Sequence, residues 1–218
     1  MAAVSIITPR AFDAVVWDYD GTLVDTRSGD EAAVAALVAA DPTLTPGVQV
    51  FWETEGRPIT ERLELAWPER AGEILALFDQ YDIPKVHAGV RRVLTSLHRA
   101  RVGQAVVSSR RLEPLCRGLG QTRLATLFAA VVGLESVAVC KPDPEGLHRA
   151  LAALGVAPSR AVFVGDRDVD MEAARRAGMT GWLATWGYPS ALHPSAAAIL
   201  AHPDEVVLRV HGPQAAAG

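Results

Sequence analysis

Cysteine and lysine are both scarce in this 218-residue chain, each occurring only twice. Cys116 and Cys140 lie far apart, without the close spacing of a metal motif. That excludes a disulfide framework and a zinc site, and it reads as two reduced, structural thiols. Long apolar runs are missing as well: no stretch approaches the roughly 18 residues of a membrane span. Residues Met1 to Arg10 lack the charged start and apolar core of a signal peptide. The expected location is therefore cytoplasmic, with no membrane partner. A net charge of −4, with the arginines scattered among acids, excludes the basic stripe of a nucleic-acid binder. Half the residues are hydrophobic. The length suits one core, or a core with a small insert.

What is present is concentrated first in Asp18-Tyr19-Asp20-Gly21-Thr22-Leu23-Val24-Asp25. The run before it, Ala14-Val15-Val16-Trp17, reads as a buried strand of a parallel sheet. The strand thus delivers two carboxylates to its C-terminal end, the edge where open α/β sheets bind ligands. Asp18 and Asp20 are two apart and would share a face, and Gly21 permits a sharp turn. Two crowded acids raise each other's pKa unless a cation or a transferring group uses them.

After Asp25 the pattern becomes helical. Ser28 and Glu31 have the spacing of a capping box, and Val34, Leu37 and Val38 form a stripe. Asp41-Pro42 ends that helix, and Thr43 to Gly47 reads as a loop. Further amphipathic segments lie at 59–66 and 73–78. With no β-rich run between 26 and 86, this stretch is too long for an ordinary connection and reads as a helical domain of its own. The division is then a core of 1–25 and 87–218 with an insert at 26–86, placed to close over the acidic turn as a lid. From Gly89 onward helices and strands alternate through 104–107, 112–118, 129–134, 144–154, 161–164, 171–177, 181–184 and 205–210. Such alternation implies an α/β, doubly wound (Rossmann-like), mostly parallel sheet.

Three more clusters follow strands or precede helices. Ser108-Ser109-Arg110 ends the strand 104–107, where a hydroxyl and turn N–H groups can meet a phosphoryl oxygen. Lys141-Pro142-Asp143-Pro144 sets a cation just before a helix, with Asp143 as N-cap and Pro144 at N1. That is an unfavourable place for a positive charge unless an anion is shared with it. Gly165-Asp166-Arg167-Asp168-Val169-Asp170 follows the strand 161–164. Oxygen donors without His or Cys suit Mg²⁺. Asp168 reads equally as a helix cap or as an outer ligand.

Asp-x-Asp-Gly-Thr-Leu-x-Asp after an apolar strand resembles the signature of the haloacid-dehalogenase-like phosphatases. Ser108, Lys141 and Gly-Asp-x-x-x-Asp follow in the order of that family's motifs. Residues 182–188, with Thr185-Trp186-Gly187-Tyr188, are similar to its phosphoglycolate-phosphatase-like members with a helical cap. The resemblance implies a phosphomonoesterase with Asp18 as nucleophile, Asp20 as acid and base, and Ser108 and Lys141 on the phosphoryl group. It further implies Mg²⁺ held by Asp18, Asp20, Asp166 and, through water or by orienting Lys141, Asp170. Substrate contacts are expected at Gly21, Thr22, Ser109 and Arg110. In the insert, Arg57 of Gly56-Arg57-Pro58 could fork onto a second anionic group. Ser109 departs from the Asn common in phosphoglycolate-phosphatase-like members. The expected partner is a small phosphorylated metabolite. A phosphosugar mutase is the nearest rival, but it needs a basic His at the position of Asp30, and 26–86 contains no His. A phosphate-binding protein without turnover is the rival of a different class.

Overall fold

The computed structural model describes residues 10–188 and 194–212. Strand β1 (Ala14–Trp17) is buried along its whole length, as a strand covered on both faces must be. Its alternating side chains feed two separate apolar clusters, Val15 and Trp17 entering one and Ala14 and Val16 the other. The first cluster is closed by α5 (Val90–Arg99) through Val93, Leu94 and Leu97. Helix α6 (Leu112–Gln121) adds Leu115 and Leu119, and α9 (Asp204–His211) adds Val206 and Val210. The second is closed by α7 (Glu145–Leu154) and α8 (Asp168–Arg176), through Leu147, Leu151 and Ala174. Each fully buried Val or Leu contributes about 1.5–3 kcal/mol. The three- and four-residue spacing that lines them up is therefore what seats each helix.

Beside β1 lie β4 (Gly103–Val107) and β6 (Ala161–Gly165), with Val16 opposite Ala105 on one side and Phe163 on the other. Adding β5 (Ala130–Val132), β7 (Thr180–Ala184) and β8 (Ala198–Leu200) gives a six-stranded parallel sheet of order β5-β4-β1-β6-β7-β8. The chain goes from β1 to β4 and β5 on one side and resumes at β6 on the other. That reversal opens a crevice at the C-terminal end of β1. The three-residue strand β8 has only Leu200 buried, too little pattern to be read in the sequence.

Between β1 and β4 the chain forms a short antiparallel ribbon, β2 (Val24–Asp25) with β3 (Lys85–Val86). From that ribbon rise four helices, α1 (Arg27–Ala40), α2 (Thr45–Glu53), α3 (Ile59–Ala66) and α4 (Ala71–Tyr81). They pack around an apolar cluster of their own centred on Phe51, Leu63, Ile74 and Phe78. The sheet is as the sequence implied; the regular structure of 26–86 is helical but for its last two residues, Lys85 and Val86, which form β3.

Several local expectations are corrected. Helix α2 begins at Thr45, inside the stretch that reads as a loop, with Pro46 in its first turn. Proline is tolerated there because first-turn N–H groups have no partner within the helix. The Ser28–Glu31 capping box does not form. Helix α1 starts at Arg27, the Ser28 N–H donates to Asp25 Oδ1 at 3.1 Å, and Glu31 accepts from Arg27 Nε at 3.0 Å. Pro144, not Asp143, is the N-cap of α7, although Asp143 Oδ1 still accepts the Glu145 N–H at 2.9 Å. Both cysteines are free, and Cys116 is exposed instead of packed. Among the described residues, no helix is long and apolar enough to cross a membrane.

Candidate active site

Asp18, Ser108 and Asp166 each stand immediately after a strand of the parallel sheet, β1, β4 and β6 respectively. The Asp18 N–H donates to Val164 O at 2.8 Å, carrying the β1–β6 pairing one residue past the strand. Gly21 then turns the chain at φ +77°, and a Cβ there would collide with the Asp166 carboxylate. Glycine is required twice over, by backbone conformation and by space. Thr22 is fully buried, and its hydroxyl donates to Asp166 Oδ1 at 3.1 Å. Its place is beneath Asp166 and not on the cavity surface, where a substrate contact was expected. Trp186, in the loop after β7, donates its indole N–H to Thr22 O at 2.8 Å. The Tyr188 hydroxyl bonds Asp25. That loop therefore locks the acidic turn, a role its aromatic residues alone did not announce.

Lys141 enters from the loop before α7. Its buried ammonium lies 2.5 Å from Asp18 Oδ1 and 2.7 Å from Asp170 Oδ1. This resolves the awkward charge before a helix, because the cation faces two carboxylates. Burial alone would lower the Lys141 pKa, but Asp170 and Asp18 overcome it and hold the group charged. Asp170 Oδ2 also accepts the Arg167 N–H at 3.0 Å, which fixes its rotamer at the start of α8. Asp168 is exposed, is the first residue of α8 after the N-cap Arg167, and accepts the neighbouring Val169 N–H at 2.9 Å.

Oxygens of Asp18, Asp166 and Asp170 lie within 4.8 Å of one another. One ammonium cannot neutralise three buried carboxylates. Burial, with the neighbouring acids adding to it, pushes Asp18 well above the usual range and Asp166 to about 7. Asp166 Oδ2 is buried without a hydrogen bond among the described residues. Arg167 Nε approaches it to 3.2 Å but without hydrogen-bond alignment. An orphaned carboxylate oxygen in an all-oxygen cluster with excess negative charge fits a hard divalent cation such as Mg²⁺.

Asp20, two residues beyond Asp18, is gripped by Arg110, whose Nε and NH2 donate to Asp20 Oδ1 at 3.1 and 2.9 Å. Burial would raise the Asp20 pKa, but the guanidinium outweighs it and the carboxyl is held below its ordinary value. Ser108 Oγ lies 3.4 Å from Asp20 Oδ2 and accepts the Arg110 N–H at 3.1 Å. Ser109 Oγ is buried in the cavity wall with no partner among the described residues. Arg110 lines the cavity, but its guanidinium is committed to carboxylates.

These groups floor a cavity of about 140 Å³ that the helical insert roofs with Asp30, Arg57, Arg62 and Phe78. Arg57 sits at the exposed rim, paired with Glu61 one turn along. Arg62 is buried. Its Nε and NH2 donate to Phe51 O at 3.4 and 3.3 Å, its NH1 to Asp30 Oδ2 at 3.2 Å, and its guanidinium lies 3.8 Å from the Phe51 ring centroid. Burial raises the Asp30 pKa to about 6 despite Arg62. The Arg62–Asp30 pair was not foreseen in the sequence. Its one signal was a charged residue beside Leu63, on the face of α3 that turns toward Phe51.

The haloacid dehalogenase-like hydrolase family matches residues 12–178. A phosphoglycolate phosphatase of Pectobacterium atrosepticum is 31% identical over 195 residues, covering 82% of each chain. The pyrophosphatase PpaX of Halalkalibacterium halodurans is 28% identical over 176 residues, 77% of this chain and 80% of that protein. The crystal structure of a predicted phosphoglycolate phosphatase from Haemophilus somnus covers 90% of this chain and 97% of its own, with a TM-score of 0.77 at 19% identity. With its four motif segments gathered at one sheet edge, the chain belongs to the haloacid dehalogenase-like hydrolases, among the phosphoglycolate-phosphatase-like members.

Proposed function

We propose that the chain hydrolyses small phosphomonoesters in two steps through an aspartyl-phosphate on Asp18. The observation that carries this reading is the Lys141 ammonium set between Asp18 and Asp170, beside the orphaned oxygen of Asp166. A carboxylate is a usable nucleophile when one oxygen is held by a cation and the other faces the phosphorus. An Asp18 oxygen attacks phosphorus in line, and the bond to the ester oxygen breaks. Asp20, held as a carboxylate at rest by Arg110, takes up a proton from solvent as substrate binds and gives it to that leaving oxygen. In the second step Asp20, again a carboxylate, takes a proton from the water that attacks the acyl phosphate. Ser108 and Lys141 stabilise the phosphoryl oxygens.

Mg²⁺ would be held by the Asp18 and Asp166 carboxylates and the Asp20 carbonyl, with Asp170 behind Lys141. When bound, it neutralises charge on the phosphoryl oxygens. Helices α1–α4 act as a cap domain that excludes water from the cavity. Selectivity belongs to that roof. Arg62 lines the cavity more deeply than the rim residue Arg57, and a second anionic group on the substrate would share its guanidinium with Asp30 and Phe51 O. The test is phosphate release from a panel of phosphomonoesters and pyrophosphate, with Mg²⁺ and with EDTA. Release that depends on Mg²⁺ and favours substrates with a second anion supports the reading. Release from pyrophosphate alone overturns the phosphomonoester assignment.

A further inference from the structure

Arg110 touches more than Asp20. Its NH1 donates to Asp82 Oδ2 at 2.7 Å, and Asp82 is the C-cap of α4, where the helical insert returns to the core. The guanidinium is largely buried and lies over the Tyr19 ring at 5.6 Å. One rigid fork thus joins the turn after β1, the loop after β4 and the exit of the insert. The contacts on Asp20 are unequal. Oδ1 takes Nε and NH2 at 3.1 and 2.9 Å, whereas Oδ2 has longer contacts, Arg110 Nε at 3.3 Å and Ser108 Oγ at 3.4 Å, and the Thr26 hydroxyl also bonds this carboxyl.

We infer that Arg110 is a positioning residue. It fixes Asp20 Oδ1, leaves Oδ2 on the Ser108 side as the oxygen that gives and takes the proton, and ties that geometry to the exit of the insert at Asp82. The inference rests on the acid–base reading of Asp20 above. A guanidinium suits the task because its planar fork grips Asp20 through Nε and NH2 while NH1 reaches Asp82, a spread of donors that a point ammonium lacks. It also means that a guanidinium lining the cavity is not free for the substrate.

Positioning of a general acid has a signature that binding and bulk stability lack: it matters most when the leaving oxygen most needs a proton. The experiment compares kcat/KM for p-nitrophenyl, phenyl and ethyl phosphate, which carry no second anion, in wild type, Arg110→Met, Arg110→Lys, Asp82→Asn and Asp20→Asn. Loss in Arg110→Met should be on the order of 100-fold for ethyl phosphate and below about fivefold for p-nitrophenyl phosphate. Asp82→Asn should show the same bias at roughly a tenth of the size, and Arg110→Lys should recover only part of the loss. Adding Arg110→Met to Asp20→Asn should cost nothing more.

Equal loss across the three substrates, in Arg110→Met and in Asp82→Asn, would overturn the inference. If Asp20→Asn shows the bias and the Arg110 variants do not, only this inference falls. If Asp20→Asn itself shows no bias, the acid–base reading falls with it.

Discussion

The floor and the roof of the cavity hold their charges in different ways. On the floor, short contacts among buried groups leave little freedom: Lys141 between Asp18 and Asp170, and Thr22 beneath Asp166. Asp18 and Asp166 follow the ends of paired strands, Asp170 lies in the first turn of α8, and Lys141 enters from the loop before α7. In the roof, Arg62 is anchored to a main-chain carbonyl and a half-buried acid, and Arg57, in the turn before α3, to Glu61 in that helix's first turn. The floor has a surplus of negative charge that calls for a metal ion. The roof has arginines that can meet whatever the metal and phosphoryl group leave outside. On the proposed function, chemistry belongs to the sheet edge and choice of substrate to the insert, and mutation can separate the two.

The largest effect should come from the floor. Asp18→Asn keeps the shape but removes the nucleophile, and kcat in Mg²⁺ should fall by about 10⁴-fold or more. Residual turnover within tenfold of wild type would show that another group attacks. Lys141→Met should lower kcat by roughly 10²–10³-fold, as loss of a preorganised charge does. Lys141→Arg should not restore it, since a planar fork does not fit where one nitrogen serves two carboxylates at 2.5 and 2.7 Å.

In the roof the pattern should invert. Arg62→Met should raise KM by roughly tenfold for substrates with a second anion, leave phenyl phosphate unaffected and barely change kcat. Arg57→Met should change neither, and a larger effect at Arg57 would move the anion contact back to the rim.

The smallest effect concerns stability. The Asp30 pKa is raised to about 6 in the folded chain, so folding favours its protonated form. Its contribution is fully present below the ordinary carboxyl pKa and is lost as pH rises through 6. The Tm of Asp30→Asn minus that of wild type should accordingly become more positive between pH 4 and 7. A flat difference would mean that Asp30 ionises as a surface acid does.

The sheet edge was legible for a physical reason. A parallel strand buried on both faces is a continuous apolar run, so β1, β4 and β6 announce themselves, and the residues following each must lie together. Lys141 could be singled out because lysine is scarce and its place before a helix was unfavourable without an anion. The insert was legible only as helical. Helix α2 was hidden by Pro46, and the bridges from Arg110 to Asp82 and from Arg167 to Glu55, the latter at 2.9 Å, span long stretches of sequence. No periodicity encodes which distant carboxylate an arginine finds. Arg57 stood out because it interrupts a Gly-Pro turn, while Arg62 blended into a helix although it is the buried one of the two.

The most direct test of the two-step account is to trap the phosphoenzyme. Wild type and Asp18→Asn would be mixed with a turning-over phosphomonoester and Mg²⁺, quenched in acid, and searched by mass spectrometry for a hydroxylamine-sensitive phosphate. The account predicts that the modification appears on Asp18 of the wild type within one turnover, decays when substrate is exhausted and is absent from the variant. Hydrolysis proceeding with no acyl phosphate, or a phosphate on Asp18 that never turns over, would contradict it.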